Sequence, residues 1–395
     1  MFSKSVILSA ARTAIGSFGG SLKSKTTIDL GVASVKGAIE RAKITAGQID
    51  ELVLGCVGQY SLNSFLARLV ALKSGCAETS TAQTVNRLCA SGLQAIITAA
   101  MLIESGDMDI TVGGGAESMS NYPYYLNSAR WGMRMGLANN SLEDALVTAL
   151  AEPLTGTNTH IAVTAEKIAA QYNISRKELD EYALQSQERA LAAIQNGIFK
   201  EQIIPVELEE KNQVRFFDTD EYPRSTTLEK LLNLKPFAKS DGVVTAGNAS
   251  GINDASAALV LASEQKAKEL GLKPIARLLD YAVAGVDPSI MGIGPVFSTR
   301  KLLQKTGISI KDIDLIELNE AFAAQAIACI RDLDLDPARV NVNGSGISLG
   351  HPIGATGAII SVKLIYELIR RKKRYGISTL CIGGGQGMSA LFEVL

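Results

Sequence analysis

Two segments of the chain place hydrophobic residues on nearly every face of a helix. The first runs over about Ser91–Ser105 and is closed by Gly106, and the second runs over about Thr356–Arg371. A helix that is apolar all round is buried rather than laid on a surface. The pattern therefore predicts two helices in the interior of the protein.

The same residues surround each of these helices. A short β-like run ends at Val85-Asn86 before the first helix and at Val342-Asn343 before the second. A further β-like run follows each helix and leads into three glycines, at 113–115 and at 383–385. Both regions therefore read as strand-helix-strand units, which favour mostly parallel sheets with helices on their faces.

The repeat extends upstream of these units. "ITAGQIDELVLG" at 44–55 and "ISIKDIDLIELN" at 308–319 share an isoleucine, an Ile-Asp pair and alternating apolar positions. The second copy carries extra residues before its helix, and His351 lies among them. Two similar halves predict two similar α/β domains, with candidate sites at the carboxyl ends of their strands.

The stretch at 120–248 is more polar and holds the only tryptophan, Trp131. Ser175 followed by Glu178 is a capping box that predicts a helix start. We interpret the stretch as an inserted loop domain that covers the site, after which 245–263 returns to the first core. The predicted domains are 1–119 completed by about 249–271, then 120–248, and 272–395.

Composition narrows the class of protein. The 395 residues are 47% hydrophobic and 20% charged, with a net charge of −1, so we expect no nucleic-acid partner. No unbroken apolar run reaches the length of a membrane span, and the N-terminus shows no signal or transit pattern. We expect a cytoplasmic protein with no membrane partner.

Metal and nucleotide sites are disfavoured by the motifs. There are five cysteines and two histidines, without CxxC or HExxH spacing, so zinc is not expected. An odd cysteine count suits free thiols in a reducing compartment. No glycine cluster has G-x-G-x-x-G or P-loop spacing, which argues against a dinucleotide-binding or P-loop enzyme.

Cys89 lies between a predicted strand end and the first turn of a buried helix. The positive end of that helix would favour a thiolate, and Ala90, Ser91 and Gly92 leave room for a substrate. The alternative is a buried structural cysteine, the usual state of a free thiol. The stretch alone leaves both open.

His351 lies in the glycine-rich segment "GISLGHPIGATG", at the place in the second half that matches Cys89 in the first. If the halves pack as a pseudo-twofold pair, His351 could take the proton of Cys89. The alternative is a hydrogen-bonded loop histidine without a chemical role.

Three further residues are candidates. Cys381 precedes "GGGQG", whose uncovered N–H groups could form an oxyanion hole, and a thiol with a pKa near 8.5 could shuttle protons; the alternative is a core cysteine. Asn319 ends a strand-like run, where it could orient a water or a carbonyl or else cap the next helix. His160 begins a predicted helix and could be a surface histidine. The remaining cysteines, Cys56, Cys76 and Cys329, are interpreted as structural.

Taken together, segments along the whole chain resemble the thiolase family. They are "SVILSAARTAIGSFGGSL", "VNRLCASGLQA", "GGGAESMSNYPY", "TTLEKLLNLKPF", "TAGNASGIND", "MGIGP", "LNEAFA", "NVNGSGISLGHPIGATG" and "CIGGGQG". The resemblance implies a five-layered αβαβα fold of two duplicated domains, with an inserted loop domain that binds coenzyme A (CoA).

The resemblance also implies residue roles. Cys89 matches the nucleophile that is acylated, His351 its base, and Cys381 the acid/base thiol. Asn319 matches the residue whose bound water forms one oxyanion hole with the histidine, and the N–H groups of Cys89 and Gly383 match the other.

Further implications concern binding and assembly. Arg224, His160 and Ser250 match positions near CoA, which serves as substrate and product, and no other cofactor or metal is implied. The family is usually dimeric or tetrameric. Departures from the common pattern are Ser345, Ser348, Ala255 and the Ile161-Ala162 pair after His160. The Ile161-Ala162 pair matches a position near the acyl pocket, so the preferred length of the acyl chain stays open.

The implied activity is ping-pong acyl-cysteine catalysis in fatty acid metabolism. It condenses two acetyl-CoA to acetoacetyl-CoA and CoA, or cleaves short-chain 3-ketoacyl-CoA with CoA. One alternative is a ketoacyl synthase-like condensing enzyme, against which Cys381 and Asn319 argue. The other is a non-catalytic CoA- or lipid-binding protein. The presence of all four matched residues argues against it: Cys89, His351, Asn319 and Cys381.

Overall fold

The computed structural model describes residues 2–133, 141–154, 159–210 and 213–395. The strands are β1 (Ser5–Thr13), β2 (Gly16–Ser17), β3 (Glu51–Gly55), β4 (Thr81–Val85), β5 (Ile110–Ser118), β6 (Tyr124–Tyr125), β7 (Glu143–Asp144), β8 (Ala151–Glu152), β9 (Thr159–His160), β10 (Ile203–Ile204), β11 (Val206–Glu210), β12 (Gln213–Phe217), β13 (Asn253–Ser263), β14 (Ala276–Gly285), β15 (Leu315–Leu318), β16 (Tyr375–Ile382) and β17 (Gln386–Val394). The helices are α1 (Thr27–Ala42), α2 (Leu66–Lys73), α3 (Ser91–Ser105), α4 (Ala145–Ala149), α5 (Ala162–Gln171), α6 (Arg176–Gln195), α7 (Leu228–Leu232), α8 (Glu264–Glu269), α9 (Gly294–Thr306), α10 (Ala323–Asp332), α11 (Gly346–Leu349) and α12 (Thr356–Arg371).

Five layers stack on one another, as the resemblance implied. The two buried helices α3 and α12 form the central layer between two halves of the sheet. Helices α1 and α2 cover the outer face of the first half, and α9 and α10 cover that of the second. Strand β13 shows why the layers form: Leu259 and Leu261 face the central helices, whereas Val260 between them faces α1 and α2.

The two halves of the sheet match strand by strand. The first half has the order β4-β3-β5-β13-β1 and the second has the order β15-β16-β17-β14. They meet through a single registered pair, Ile7 of β1 opposite Ala276 of β14. Where the first half has β4, the second has only a parallel bridge between Ile316 and Val340. The predicted strand ending at Val342-Asn343 is therefore reduced to that bridge.

The expectation of mostly parallel sheets is wrong. Strand β3 is parallel to β4 and β5, and β15 is parallel to β16, but the inner pairs of both halves are antiparallel. The reason lies in connections that the helix pattern did not reveal. Strand β17 follows β16 through the short glycine turn at 383–385, and β13 returns between β1 and β5 after the long insertion.

Helices α3 and α12 touch through glycines at their first turns. A Cβ added to Gly92 would lie 2.8 Å from the backbone nitrogen of Ala358, and one added to Gly357 would lie 2.5 Å from that of Leu93. Although the segment containing α3 is apolar and long enough to cross a membrane by composition, the helix packs in the central layer. Both predicted helices have the predicted ends, and Gly106 closes α3 in a left-handed conformation.

The inserted stretch lies against both halves. Helix α6 begins after Ser175 as predicted, and the Ser175 side chain accepts the backbone N–H of Glu178. The second bond of a capping box is not formed, because the Glu178 carboxylate pairs with Arg331. It packs on α10 and α11 of the second half, while β10 pairs with β1 of the first. The insertion is thereby tied to the elements that carry the candidate residues.

Candidate active site

One cavity of about 650 Å³ collects residues from both halves and from the insertion. Cys89 comes from the first half, and His351, Cys381 and Gly383 come from the second. Much of the remaining wall is apolar and includes Leu88, Met119, Leu150, Ile161, Met291, Phe322 and Ile353. The pseudo-twofold arrangement therefore brings a thiol, an imidazole and a second thiol to the same space.

Cys89 is presented by a sharp turn between β4 and α3. Leu88 has a φ of +47°, in the left-handed region that side chains seldom occupy. Its backbone N–H donates to the side-chain oxygen of Asn86 at 2.9 Å, and its carbonyl accepts the hydroxyl of Ser91 at 2.6 Å. Cys89 is half-buried and lines the cavity at the start of α3.

The expected thiolate at the helix start is not the resting form. Burial raises the pKa of the Cys89 thiol to about 11, although the backbone N–H groups of Gly383 and of Cys89 itself act to lower it. Desolvation disfavours the charged form more than these donors favour it. Cys89 is therefore a neutral thiol at pH 7 and needs a base.

His351 is buried between two fixed partners. Its Nδ1 lies 2.6 Å from Oγ1 of Thr356, which also lies 3.0 Å from the carbonyl oxygen of Pro352. Because the single hydroxyl proton is donated to that carbonyl, Oγ1 accepts a proton from Nδ1, which assigns the lone pair to Nε2. Burial lowers the pKa of His351 to about 4, so the ring is neutral at pH 7.

Asn319 follows β15 and contacts the histidine, with its Nδ2 3.4 Å from Nε2 of His351. It does not cap the next helix, because α10 begins at Ala323 with Phe322 at its N-cap. The Oδ1 atom of Asn319 is buried and has no hydrogen-bond partner among the described residues. A buried acceptor of this kind usually binds an ordered water.

Cys381 is the next-to-last residue of β16, and its buried side chain lines the cavity. Burial and the neighbouring Cys89 raise the pKa of its thiol well above the ordinary value. The expectation of a pKa near 8.5 is therefore wrong for the free protein. Beyond it, Gly384 and Gly385 adopt positive φ values of 78° and 86°, which turn the chain back into β17.

Gly383 leaves its backbone uncovered toward the cavity. A Cβ at this position would lie 3.3 Å from side-chain carbons of both Leu88 and Ile161. Its N–H reaches the sulfur of Cys89. The N–H groups of residues 89 and 383 both lower the pKa of the thiol and so lie beside it, where the oxygen of a carbonyl attacked by the sulfur would come within their reach.

The three positions matched to CoA binding lie in different settings. Ser250 and His160 line the cavity, and His160 also packs edge-on against Phe237 with ring centroids 5.4 Å apart. Arg224 is exposed, and its guanidinium lies 5.1 Å from the ring centroid of Tyr222, which lines the cavity. The arginine thus stands over one wall of the cavity, with its charge in solvent.

Sequence reasoning missed two residues that shape the site. Thr356 was seen only as a helix start, yet it fixes the histidine ring. Leu88 was seen only as an apolar residue, yet its left-handed backbone presents Cys89. The first had a signal, a hydroxyl residue five positions after a histidine at a helix N-terminus; the second had none.

The chain matches two family models, described as "Thiolase, N-terminal domain" over residues 5–265 and "Thiolase, C-terminal domain" over 272–394. It is 51% identical to the beta-ketothiolase of Cupriavidus necator, covering 98% of each chain, and 48% identical to an acetyl-CoA acetyltransferase of Escherichia coli, covering 99% of each.

Solved structures agree with these matches. The acetyl-CoA acetyltransferase of Bacillus anthracis superposes with a TM-score of 0.97 at 48% identity, over 100% of this chain and 99% of that one. The human mitochondrial 3-ketoacyl-CoA thiolase in complex with CoA superposes with a TM-score of 0.95 at 41% identity, over 100% and 98%.

Proposed function

The chain belongs to the thiolase family, and from this premise we propose that it transfers acyl groups between CoA thioesters. It condenses two acetyl-CoA molecules to acetoacetyl-CoA and CoA, or cleaves short-chain 3-ketoacyl-CoA with CoA. The observation that carries the proposal is the single cavity lined by Cys89, His351 and Cys381. The Cys89 sulfur and the imidazole are the nucleophile and the base that ping-pong acyl transfer through cysteine requires, and the second sulfur can carry the proton transfer that condensation requires.

The first half-reaction forms the acyl-enzyme. Nε2 of His351 takes the proton of Cys89 while the sulfur attacks the thioester carbonyl, so the thiolate forms during attack and not before it. The carbon–sulfur bond to CoA breaks, and Cys381 protonates the departing CoA sulfur. The enzyme is then acylated on Cys89 and holds an imidazolium at His351 and a thiolate at Cys381.

The second half-reaction forms the new carbon–carbon bond. The Cys381 thiolate removes an α-proton from the second acetyl-CoA, and the enolate carbon attacks the acyl group on Cys89. The bond to the Cys89 sulfur breaks, and His351 returns its proton to that sulfur. Cleavage follows the same steps in reverse.

This order accounts for the raised pKa of Cys381. A thiol that stays protonated at rest avoids side reactions, and becomes a base only after it has given its proton to CoA. Charge develops on carbonyl oxygens in both half-reactions. The N–H groups of Cys89 and Gly383, and a water held by Asn319 with His351, supply donors for that charge, at about 3 kcal/mol for each donor.

The proposal also covers how CoA is bound, how the chains assemble and where the enzyme works. Ser250, His160 and Arg224 contact CoA, with the exposed guanidinium placed to meet its phosphates. The protein uses no resident metal or cofactor, functions as a homodimer or homotetramer in fatty acid metabolism, and works in the cytoplasm. A ketoacyl synthase-like enzyme or a non-catalytic CoA- or lipid-binding protein is not favoured, since the relatives are named as thiolases and acetyltransferases.

The test is a thiolysis assay with CoA over a ladder of 3-ketoacyl-CoAs from four carbons upward, together with condensation of acetyl-CoA. We expect turnover of the short members and condensation in the reverse assay. Binding of CoA without turnover of any member would support the non-catalytic alternative and overturn the proposal.

A further inference from the structure

The loop that carries the histidine is bonded across the boundary between the two halves. We define the histidine loop as residues 350–354, which run from Gly350 through His351 to Gly354. It belongs in sequence to the second half, just before α12. Two of its backbone N–H groups, however, donate to side chains of the first half.

Asn253 holds the start of the loop. Its Oδ1 accepts the backbone N–H of His351 at 3.0 Å, and its Nδ2 donates to the carbonyl of Gly16 at 3.0 Å. The side chain is fully buried at the first residue of β13. Because both ends of the amide are engaged, Asn253 has one orientation, and its oxygen points at the histidine backbone.

Glu117 holds the end of the loop. Its Oε2 accepts the N–H groups of Gly354 and Val57, both at 2.9 Å, and its Oε1 accepts that of Gly58 at 3.1 Å and lies 3.5 Å from the sulfur of Cys56. The carboxylate is fully buried near the end of β5. Burying a carboxylate is costly unless its oxygens are satisfied, and here three backbone donors converge on it.

Neither end of the loop has room to relax. A Cβ at Gly350, where φ is +106°, would lie 2.3 Å from the side chain of Asn253. A Cβ at Gly354 would lie 2.4 Å from the carboxylate of Glu117 and 2.8 Å from the Cα of Cys56. The loop thus contacts these first-half residues directly at both of its ends.

We propose that Glu117 and Asn253 are positioning residues that fix His351 of the second half relative to Cys89 of the first. They do not line the cavity. Their bonds to the backbone at 351 and 354 set where the imidazole stands, and Thr356 then sets the direction of its ring. This inference rests on the proposed function only in that the transfer of the Cys89 proton to His351 is its first step.

The variants follow from the bonding pattern. Glu117→Gln keeps the shape but places an NH₂ group against backbone donors whichever way the amide turns, so the loop must shift. Asn253→Ala removes the acceptor of the His351 N–H. Asp50→Asn is the control, because it makes the same carboxylate-to-amide change away from the site: Oδ2 of Asp50 accepts the N–H groups of Asp109 and Ile110 at 2.9 and 2.8 Å, at the opposite ends of β3 and β5.

The primary readout is the rate at which iodoacetamide alkylates Cys89 at pH 7, followed by mass spectrometry of the peptide. This rate reports the thiol and its base without any CoA substrate. We expect Glu117→Gln and Asn253→Ala to slow it about tenfold to hundredfold, since small misplacements of a catalytic group have effects of this size. We expect Asp50→Asn to leave it within about twofold of the parent.

A double-variant cycle separates positioning from general damage. If the two residues act through His351, each substitution should change the alkylation rate less than about twofold in a His351→Ala background. In thiolysis, kcat should fall by the same factor as alkylation, while KM for CoA stays within about twofold.

An equal loss with and without His351, or an equal loss in Asp50→Asn, would overturn the proposal. If Glu117→Gln does not fold, Asn253→Ala carries the same cycle alone. If the variants show the coupled alkylation but the parent protein catalyses no thiolysis, the proposed function is refuted and the positioning roles of Glu117 and Asn253 stand.

Discussion

The two halves carry the same strand-loop-helix unit, but they use it for different chemistry. In the first half the loop between β4 and α3 presents Cys89 on five residues, 86–90. In the second half residues 341–355 lie between the bridge at Val340 and α12, include the short helix α11, and present His351. The helices that follow match in position and in their glycine contact, whereas the loops differ in length and burial.

The first residues of the two central helices make a hydrogen bond that both halves share. Ser91 and Thr356 are the first residues of α3 and α12, and each hydroxyl donates to a carbonyl in its own loop. In the first half this bond holds the turn at Leu88. In the second half Oγ1 of Thr356 makes the corresponding bond and also lies 2.6 Å from Nδ1 of His351. The duplicated core therefore sets the place of the site, and the loops supply the reactive groups.

The largest effect should come from removing the nucleophile. Cys89→Ala should abolish acyl-enzyme formation and lower turnover by about 10⁴-fold or more, because every later step proceeds from the acylated sulfur. The measurements are acyl-enzyme mass after mixing with acetyl-CoA and steady-state thiolysis. Acylation that persists at another residue would contradict the assignment of Cys89 as the nucleophile.

The second thiol should separate the two half-reactions. Cys381→Ser should keep acylation of Cys89 within about tenfold, since CoA can leave as a thiolate. It should lower condensation by about 10² to 10⁴-fold, because the proton-transfer group is lost. Burst and steady-state rates distinguish the two. Condensation at the parent rate would show that Cys381 is structural.

Burial of His351 should appear as acid sensitivity. The pKa of the ring falls from 6.5 in a solvated histidine to about 4. The unfolded chain therefore takes up a proton below pH 6.5 that the folded protein refuses until about pH 4, so the free energy of unfolding falls across that window. The loss is about 3 kcal/mol at 1.36 kcal/mol per pH unit.

Urea unfolding from pH 7 to pH 4 measures this change. The difference between the parent and His351→Gln isolates the ring, and His160→Gln gives the comparison with an exposed histidine, for which a smaller change is expected. A flat difference for His351 over the window would show that the ring is solvated.

The smallest effect should come from the two hydroxyls at the helix starts. Thr356→Val should lower kcat about tenfold to hundredfold, because Nδ1 of His351 loses its acceptor at a cost of about 1.5–3 kcal/mol. Thr356→Ser keeps the hydroxyl and should retain most activity. Ser91→Ala loses bonds only to the loop backbone, at the N–H of Arg87 and the carbonyl of Leu88, and should cost less than Thr356→Val. Equal losses would show that both hydroxyls act only on the backbone.

Features that depend on neighbouring residues in the sequence were predicted correctly. The ends of α3 and α12, the cap at Ser175 and the duplication are set by periodicity and by short-range bonds, and the structure confirms them. The prediction of strand direction was wrong because direction depends on which strands become neighbours. The hydrophobic pattern of β13 does not show that this strand returns between β1 and β5 after the insertion. The domain boundaries stay predictions.

The electrostatics of the site could not be taken from the chain. A cysteine at the start of a helix predicts a lowered pKa, but the same helix lies in the central layer, and burial raises the pKa of Cys89 instead. Glu117 and Asn253 lie in two of the segments that resemble the family, but no local pattern indicated their role, because each is separated from the loop that it binds by about a hundred residues or more. Contacts across the two halves exist only after folding.

The glycine contact between α3 and α12 has a consequence for engineering. Each reactive loop is attached to the amino end of one of two helices whose main chains nearly touch at Gly92 and Gly357. The spacing of these attachment points is therefore governed by van der Waals contact between the two main chains and hardly at all by the bulk of surrounding side chains. Repacking the outer layers should raise or lower heat resistance while leaving the reaction rate largely unaltered, which makes durability and turnover separately adjustable in this scaffold.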